Sequence, residues 1–341
     1  MEIRPFREGD SARWDDLVER CSDATFFHLI GWRSVIEDVF RHRTHYLVAE
    51  RQGELCGVLP LAEVRSRLFG HSLVSLPFAV YGGPVATDPA ATSALIAAAR
   101  SCARELGAGH LELRNRRPLC PGWPRQDLYV TFRKEILPDV DANLQAVPRK
   151  QRAMVRKGIK NELRSEIDDH VERFFALYAD NVHRHGTPPY GKGYFARLRE
   201  TFGERCEVLT VVDRRGTPVS SVLSFYFRDE VLPYYAGDDV AARDLAANDF
   251  KYWELMRRAC LRGCTLFDYG RSKQGTGPYD FKRNWGFEPQ PLAYEYALLG
   301  RDSIPQNNPL NPKYRAFIAL WRRLPLSVAN AVGPHIVRNL G

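Results

Sequence analysis

One order of elements occurs twice along this chain, and that repeat constrains its fold more than any other feature. In the first half, apolar residues at helical spacing run over 12–21 and 32–39. A hairpin follows, with extended segments over 46–50 and 55–61 flanking Arg51-Gln52-Gly53, a short turn with the glycine such hairpins need. Extended chain through Leu73-Val74-Ser75-Leu76 leads to Tyr81-Gly82-Gly83-Pro84, a helix over 90–106 and a strand over 110–114. In the second half, helices over 171–183 and 193–202 precede a hairpin over 208–212 and 219–225 around Asp213-Arg214-Arg215-Gly216. A strand ending in Tyr234-Tyr235-Ala236-Gly237, a helix over 248–262 and a strand over 265–269 complete the second copy. Duplication of one α/β unit is the economical explanation.

With 341 residues, 44% of them hydrophobic, the chain is long enough for two such units, each with its own core. The expected division is a first unit over 1–145, a basic linker helix over 146–168, a second unit carrying the site over 169–300, and an amphipathic tail over 301–341. The net charge of +8 suits an anionic partner such as RNA, a nucleotide phosphate or a lipid headgroup. The cations are densest in the stretch from Arg149 to Arg164, which reads either as a solvated linker helix or as a phosphate-backbone contact. Near the end, residues 314–325 form a basic, amphipathic segment with Trp321, fit to lie on an anionic membrane surface or to dock on its own protein.

Seven cysteines, none in a two-residue-gap pair, read as buried reduced thiols, and no residue spacing suits a metal site. The opening Met1-Glu2-Ile3-Arg4-Pro5-Phe6 lacks the apolar run of a secretion signal, and no stretch of about 18 apolar residues exists to span a bilayer. A cytoplasmic location is expected, with the inner membrane face as the place where the tail would act.

Chemistry is expected where the strand at Phe267-Asp268-Tyr269 runs into Gly270-Arg271-Ser272-Lys273-Gln274-Gly275-Thr276-Gly277-Pro278 and then Tyr279-Asp280-Phe281-Lys282-Arg283. Loops leaving strand ends carry sites disproportionately, and glycines let backbone approach a ligand. The glycines follow Lys273, so this is no P-loop, and no serine sits in a G-x-S-x-G elbow. Lys282 among aromatic residues is the candidate to stabilise a developing oxyanion, or is a lysine snorkelling over its neighbours. Asp280 or Asp268 is the candidate proton acceptor. Asp268 and Arg271 can equally pair structurally, and Tyr234 and Tyr235 can line a groove or serve as packing.

At these residues the chain resembles the FemAB family. Its members are two fused acetyltransferase-like (GNAT) units that move an amino acid from aminoacyl-tRNA to an amine of a peptidoglycan precursor. The segment from Tyr279 to Phe287 is similar to the family's aromatic-Phe-Lys segment. The resemblance implies an α/β, mixed α+β fold of two tandem GNAT-like units, each a twisted mixed sheet flanked by helices. It implies that Lys282 stabilises the transferred acyl carbonyl, with Phe281 beside it. Asp280 completes the expected catalytic residues, and Tyr234, Tyr235, Asp268, Arg271, Tyr279 and Arg283 are expected to bind substrate. More narrowly, Phe267 to Lys273, the Gly275-Thr276-Gly277 turn and Asn284 to Pro289 resemble FemAB-related proteins of exosortase/PEP-CTERM systems, which accompany exopolysaccharide and envelope genes.

The implied activity is acyl or aminoacyl transfer to an amine of an envelope, peptidoglycan or exopolysaccharide precursor. No tightly bound cofactor is expected; aminoacyl-tRNA or acyl-CoA would be the donor. Two rivals remain, an acyl-CoA-dependent N-acetyltransferase for a sugar or amino acid, and a non-catalytic membrane-surface protein. The chain departs from the pattern in having no long heptad arm. Where acetyltransferases place a glycine-rich pyrophosphate loop, it has the acid-rich segment Asp238 to Asn248.

Overall fold

The computed structural model describes residues 1–66, 70–304 and 312–339, with only the backbone for 312–316. The chain divides into two compact units that are not consecutive stretches. The first comprises Met1–Tyr129 and stretches that begin at Pro291 and at Arg338; the second comprises Val130–Gln290 and a stretch that ends at Val337.

The first unit begins with β1 (Glu2–Pro5), α1 (Ser11–Arg20) and α2 (Gly31–Phe40), followed by β2 (Arg43–Thr44), β3 (Leu47–Arg51) and β4 (Glu54–Leu59). Gln52 and Gly53, with φ of 52° and 84°, close the β3–β4 hairpin in the left-handed region that two-residue turns demand. β5 (Ala62–Ser66), β6 (Gly70–Val74) and β7 (Val85–Ala86) lead to α3 (Pro89–Glu105), whose first turn is capped by Asp88 accepting the Ala91 N–H at 2.9 Å. β8 (His110–Asn115) and β9 (Arg125–Gln126) complete this run. Ala91, Leu95, Ala99 and Ala103 recur at intervals of four along α3 and bury one face against the sheets.

The second unit opens with β10 (Tyr129–Glu135), α4 (Val140–Ala146), α5 (Arg149–Lys160), β11 (Arg164–Asp168), α6 (Glu172–Arg184) and α7 (Lys192–Phe202). Then come β12 (Cys206–Val212), β13 (Pro218–Phe227), β14 (Glu230–Asp238), α8 (Ala242–Leu245), α9 (Ala247–Leu261) and β15 (Leu266–Asp268). β16 (Ser272–Lys273), α10 (Gly277–Asn284) and β17 (Pro289–Pro291) follow. The sheet order is β11-β12-β13-β14-β15-β10-β16. β12 is buried along its whole length, Glu207 and Thr210 included, so it is a strand covered on both faces. β18 (Ala293–Leu298) returns to the first unit and pairs antiparallel with β8, and α11 (Pro312–Trp321) and α12 (Leu326–Val337) belong to the second.

The duplicated hairpin, long helix and closing strand are all present, each helix within a residue or so of its expected span. The unit boundaries differ. β10 precedes the expected break at 145 yet pairs with β15 through Arg133↔Asp268, and β18 precedes the break at 300 yet completes the sheet of the first unit. Each unit therefore takes a strand from beyond the simple halfway division. The expected linker helix is α5, and it is part of the second core. Val155 is fully buried, and Gly158 lies so close to the Phe250 side chain that a Cβ there would clash with its Cβ.

No helix among the described residues is long and apolar enough to cross a membrane. In the tail, Trp321 faces inward at 3% exposure, stacked on Phe317, with its carbonyl accepting from His183 Nε2 at 3.2 Å. Of the two readings of this segment, Trp321 takes the second and docks the helix on the protein. Tyr314, Arg315 and Ala316 of that expected segment lie outside the residues whose side chains are described.

Candidate active site

β14 and β15 run parallel and pair over only Glu230↔Leu266 and Val231↔Phe267, after which β15 stops and β14 continues to Asp238. Beyond Val231, β14 keeps only β13 as a neighbour among the described strands. One edge of β14 thus turns its backbone groups into a wedge. Its register against β13 steps from Leu223↔Tyr235 to Ser224↔Pro233, leaving Tyr234 as the extra residue of a β-bulge. A bulge here breaks the alternation of the strand and frees the Tyr234 backbone from the ladder.

Helices α6 and α7 and the loop between them supply the aromatic residues around Tyr235 of β14. The Tyr235 hydroxyl lies 2.9 Å from the Tyr194 hydroxyl, and Tyr178, Tyr190 and Phe195 surround the Tyr235 ring with centroids at 5.2–6.2 Å. Gly237 is required because a Cβ would strike the backbone of Tyr178. Burial raises the Tyr194 and Tyr235 hydroxyls well above the ordinary tyrosine range, so they act as neutral donors and acceptors. Tyr234 packs instead on Phe225, at 5.5 Å. Of the two tyrosines expected in the groove, Tyr235 joins this cluster directly; Tyr178, Tyr190 and Tyr194 were not anticipated. Their only sequence signal is the i,i+4 spacing of Tyr190 and Tyr194 around two glycines.

Where β15 ends, a buried ionic cluster holds the following loop. Arg133 on β10 donates to Glu230 Oε2 at 2.5 Å, and its Nε lies 3.0 Å from Asp268 Oδ2. The other Asp268 oxygen accepts from Thr131 Oγ1 at 3.1 Å and from the Gly270 N–H at 2.7 Å. Asp268 has no exposed surface, which corrects its expected contact with substrate: it anchors the strand end.

Lys282, 9% exposed, directs Nζ at the carbonyls of Tyr269, Gly270 and Arg271, at 2.7, 3.2 and 3.3 Å. As an ammonium it has three N–H groups for these three acceptors, so it ties α10 to the loop. The geometry makes it a positioning residue rather than one that reaches into the wedge. Phe281, on another side of α10, packs against Tyr252 and Trp285. Asp280 is exposed in the first turn, two residues from Lys282 and hence on a different face, so the pair does not converge on one reacting atom. Tyr279 is edge-on to Phe132, with the Arg283 guanidinium 5.9 Å from its ring centre. Arg271 and Arg283 are exposed.

Burial pushes the Lys282 ammonium down to about 7, with Asp268 acting against it. Burial, then the Asp268 carboxylate, push Glu230 up to about 8, with Arg133 opposing. The consequences for stability have opposite signs. Glu230 keeps its proton in the fold up to about 8 but loses it near 4.5 when unfolded, so its contribution falls as pH rises through that window. Lys282 sheds its proton near 7 in the fold but near 10.5 when unfolded, so its contribution recovers as pH rises from 7 to 10.5. A shallow minimum in Tm between pH 7 and 8 is expected, and Glu230→Gln should remove only the acid limb. Identical pH profiles of the two proteins would rule out the raised carboxyl.

Acetyltransferases hold a donor diphosphate at the start of the helix equivalent to α9. Here Asp249 in its first turn is half-buried and takes the Trp285 indole N–H at 3.0 Å, and desolvation raises its pKa. Asp238 accepts from the fully buried Lys251 at 2.8 Å. Both carboxylates are engaged within the unit, and residues 238–248, leading into this helix, hold no glycine that would let backbone amides wrap a diphosphate, so the residues do not fit that group there.

Residues 145–283 match the family described as "Acetyltransferase (GNAT) domain". No curated protein sequence matches the chain. Among solved structures, FemX superposes with a TM-score of 0.68 at 15% identity, over 88% of this chain and 98% of that one. L-PGS from Bacillus licheniformis gives 0.56 at 12% identity over 92% and 96%. A tandem GNAT protein from the clavulanic acid biosynthesis pathway gives 0.54 at 15% identity over 89% and 99%. The splayed strands, the bulge and the domain match define the second unit as an acyltransferase domain of the GNAT class. The chain as a whole has a tandem GNAT fold, and its architecture is FemX-like.

Proposed function

We propose that the second unit transfers an acyl group from an activated donor to a primary amine in the wedge between β14 and β15. The observation that carries this is the bulge at Tyr234 beside an unpaired strand edge, which presents backbone N–H groups where a carbonyl oxygen would become negative. The amine nitrogen attacks the acyl carbonyl carbon, the tetrahedral oxyanion collapses, and the leaving thiol or ribose hydroxyl departs with the proton that the amine gives up. Lys282 holds the loop that floors this site, and Tyr194 and Tyr235 orient the acceptor.

The fold implies acyl-CoA as co-substrate, while Asp249 in the first turn of α9, Asp238 at the end of β14 and the glycine-free segment between them disfavour its diphosphate. An aminoacyl ester of tRNA avoids that conflict and suits α5, whose exposed Arg149, Lys150, Arg156, Lys157 and Lys160 have no carboxylate partner among the described residues. The acceptor we propose is an amine of an envelope or exopolysaccharide precursor of the kind handled by exosortase/PEP-CTERM systems. The work would take place at the cytoplasmic face of the membrane, where Leu320, at 64% exposure, Arg322 and Arg323 can meet anionic lipid.

Titration with acetyl-CoA, followed by transfer assays with acetyl-CoA and with charged tRNA on a panel of amines, tests the proposal. We expect no micromolar binding of acetyl-CoA and transfer from the aminoacyl ester. Micromolar binding with turnover would assign acyl-CoA as the donor, and no transfer from either donor would sink the acyltransferase activity.

A further inference from the structure

The first unit contains a cavity of about 280 Å³ lined by Arg41, His42, Arg43, Glu63, Arg65 and Arg338. We propose that it binds the phosphate groups of an organic diphosphate, a site separate from the acyl-transfer wedge and argued independently of it.

The site is assembled by register and anchoring. Arg43 on β2 lies opposite Glu63 on β5, and Arg65, two residues on, shares the Glu63 face. Glu63, at 3% exposure, is the one carboxylate in the lining; it accepts from Arg65 Nε at 2.5 Å and from His71 Nε2 at 2.7 Å. His42 is buried, its ring near-parallel to those of Phe40 and Phe78. Its Nε2 donates to the Arg338 carbonyl at 2.7 Å, which pins the late residue Arg338 at the cavity. Burial lowers the His42 pKa, so its ring is neutral and serves as scaffold. Arg41 caps α2 in the left-handed region, with φ of 57°, a conformation that costs a non-glycine residue energy.

Arg65 and Glu63 cancel. Arg41, Arg43 and Arg338 all line this concavity, and the side chains of the three pair with no carboxylate among the described residues, so their positive charges are left to a ligand. Guanidinium forks match phosphate oxygens in pairs, and a diphosphate supplies the charge to satisfy three of them. The volume accommodates a diphosphate and the first part of whatever it is attached to.

The test is calorimetric titration of the full chain at low salt with inorganic pyrophosphate, then uridine diphosphate, and sedimentation with phosphatidylcholine vesicles with and without phosphatidic acid. We expect pyrophosphate to bind, and Arg43→Ala/Arg338→Ala to weaken it at least tenfold. Lys157→Ala/Lys160→Ala on α5 should change it less than twofold. The replaced side chains are outside the hydrophobic core, and unchanged circular dichroism confirms the fold. Uridine diphosphate binding more tightly than pyrophosphate would support a nucleotide-linked ligand. Arg43- and Arg338-dependent sedimentation with phosphatidic acid, without a gain from the nucleoside, would support a lipid-linked one. Absence of pyrophosphate binding, or binding weakened equally by the α5 variant, overturns the site.

Discussion

Lys282→Ala is expected to lower acyl-transfer turnover at least a hundredfold and to destabilise the second unit by about 2–4 kcal/mol. The two effects have one cause. Removing Nζ orphans the carbonyls of Tyr269, Gly270 and Arg271 and empties a buried volume between α10 and the end of β15. Each buried acceptor left without a donor costs about 1–3 kcal/mol, reduced where water enters. The loop then no longer fixes the floor of the wedge, and misplacement of about 1 Å is enough for a hundredfold loss. The aromatic neighbours of Lys282 suggest from sequence an ammonium free to meet substrate, whose removal would leave folding intact; the three carbonyls predict the combined loss. Lys282→Met, which keeps volume and loses the bonds, separates the causes: it should recover part of the stability and little of the turnover. Urea denaturation and single-turnover rates would check both. Lost turnover at wild-type stability would return Lys282 to direct contact with substrate, and unchanged turnover would remove it from the site.

Arg133→Met should cost about 3–5 kcal/mol, the loss expected when one member of a buried ionic cluster is removed. Glu230 and Asp268 would face one another without the guanidinium that both use. The loss should be smaller at pH 5 than at pH 8, because Glu230, pushed up to about 8, then holds its proton and adds no uncompensated charge, and Arg133→Met/Glu230→Gln should regain part of it at pH 8. Denaturation midpoints at pH 5 and 8 for the single and double variants provide the measurement. Equal losses at both pH values would show that packing, not charge, accounts for the effect. The cluster lies at the point where β14 and β15 separate, so its loss should also reduce transfer even in protein that remains folded.

The anticipated catalytic segment was legible only in part. Tyr279 to Arg283 stood out by composition, but residues adjacent in sequence are distributed around a helix. Lys282 faces carbonyls, Phe281 faces Tyr252, and Asp280 faces solvent. Asp268 stood out as a charge at a strand end, and only its burial shows that it holds the loop. Tyr194 contributes its hydroxyl from a helix about forty residues before Tyr235, a separation no local pattern bridges.

What the sequence by itself determined was local and periodic. The two hairpins follow from turn residues such as Gln52-Gly53 and Gly216 that accept left-handed backbone, and the long helices follow from stripes such as Ala91, Leu95, Ala99 and Ala103. Repetition of these elements was enough to give the tandem fold. What only the tertiary structure decided was pairing at a distance: β10 beside β15, β18 beside β8, the splay that opens the wedge, and Arg338 pinned beside Arg43. Strand edges carry the same backbone donors and acceptors whatever their side chains, so which edges meet is settled by the packing of the whole unit, not by the residues of either strand.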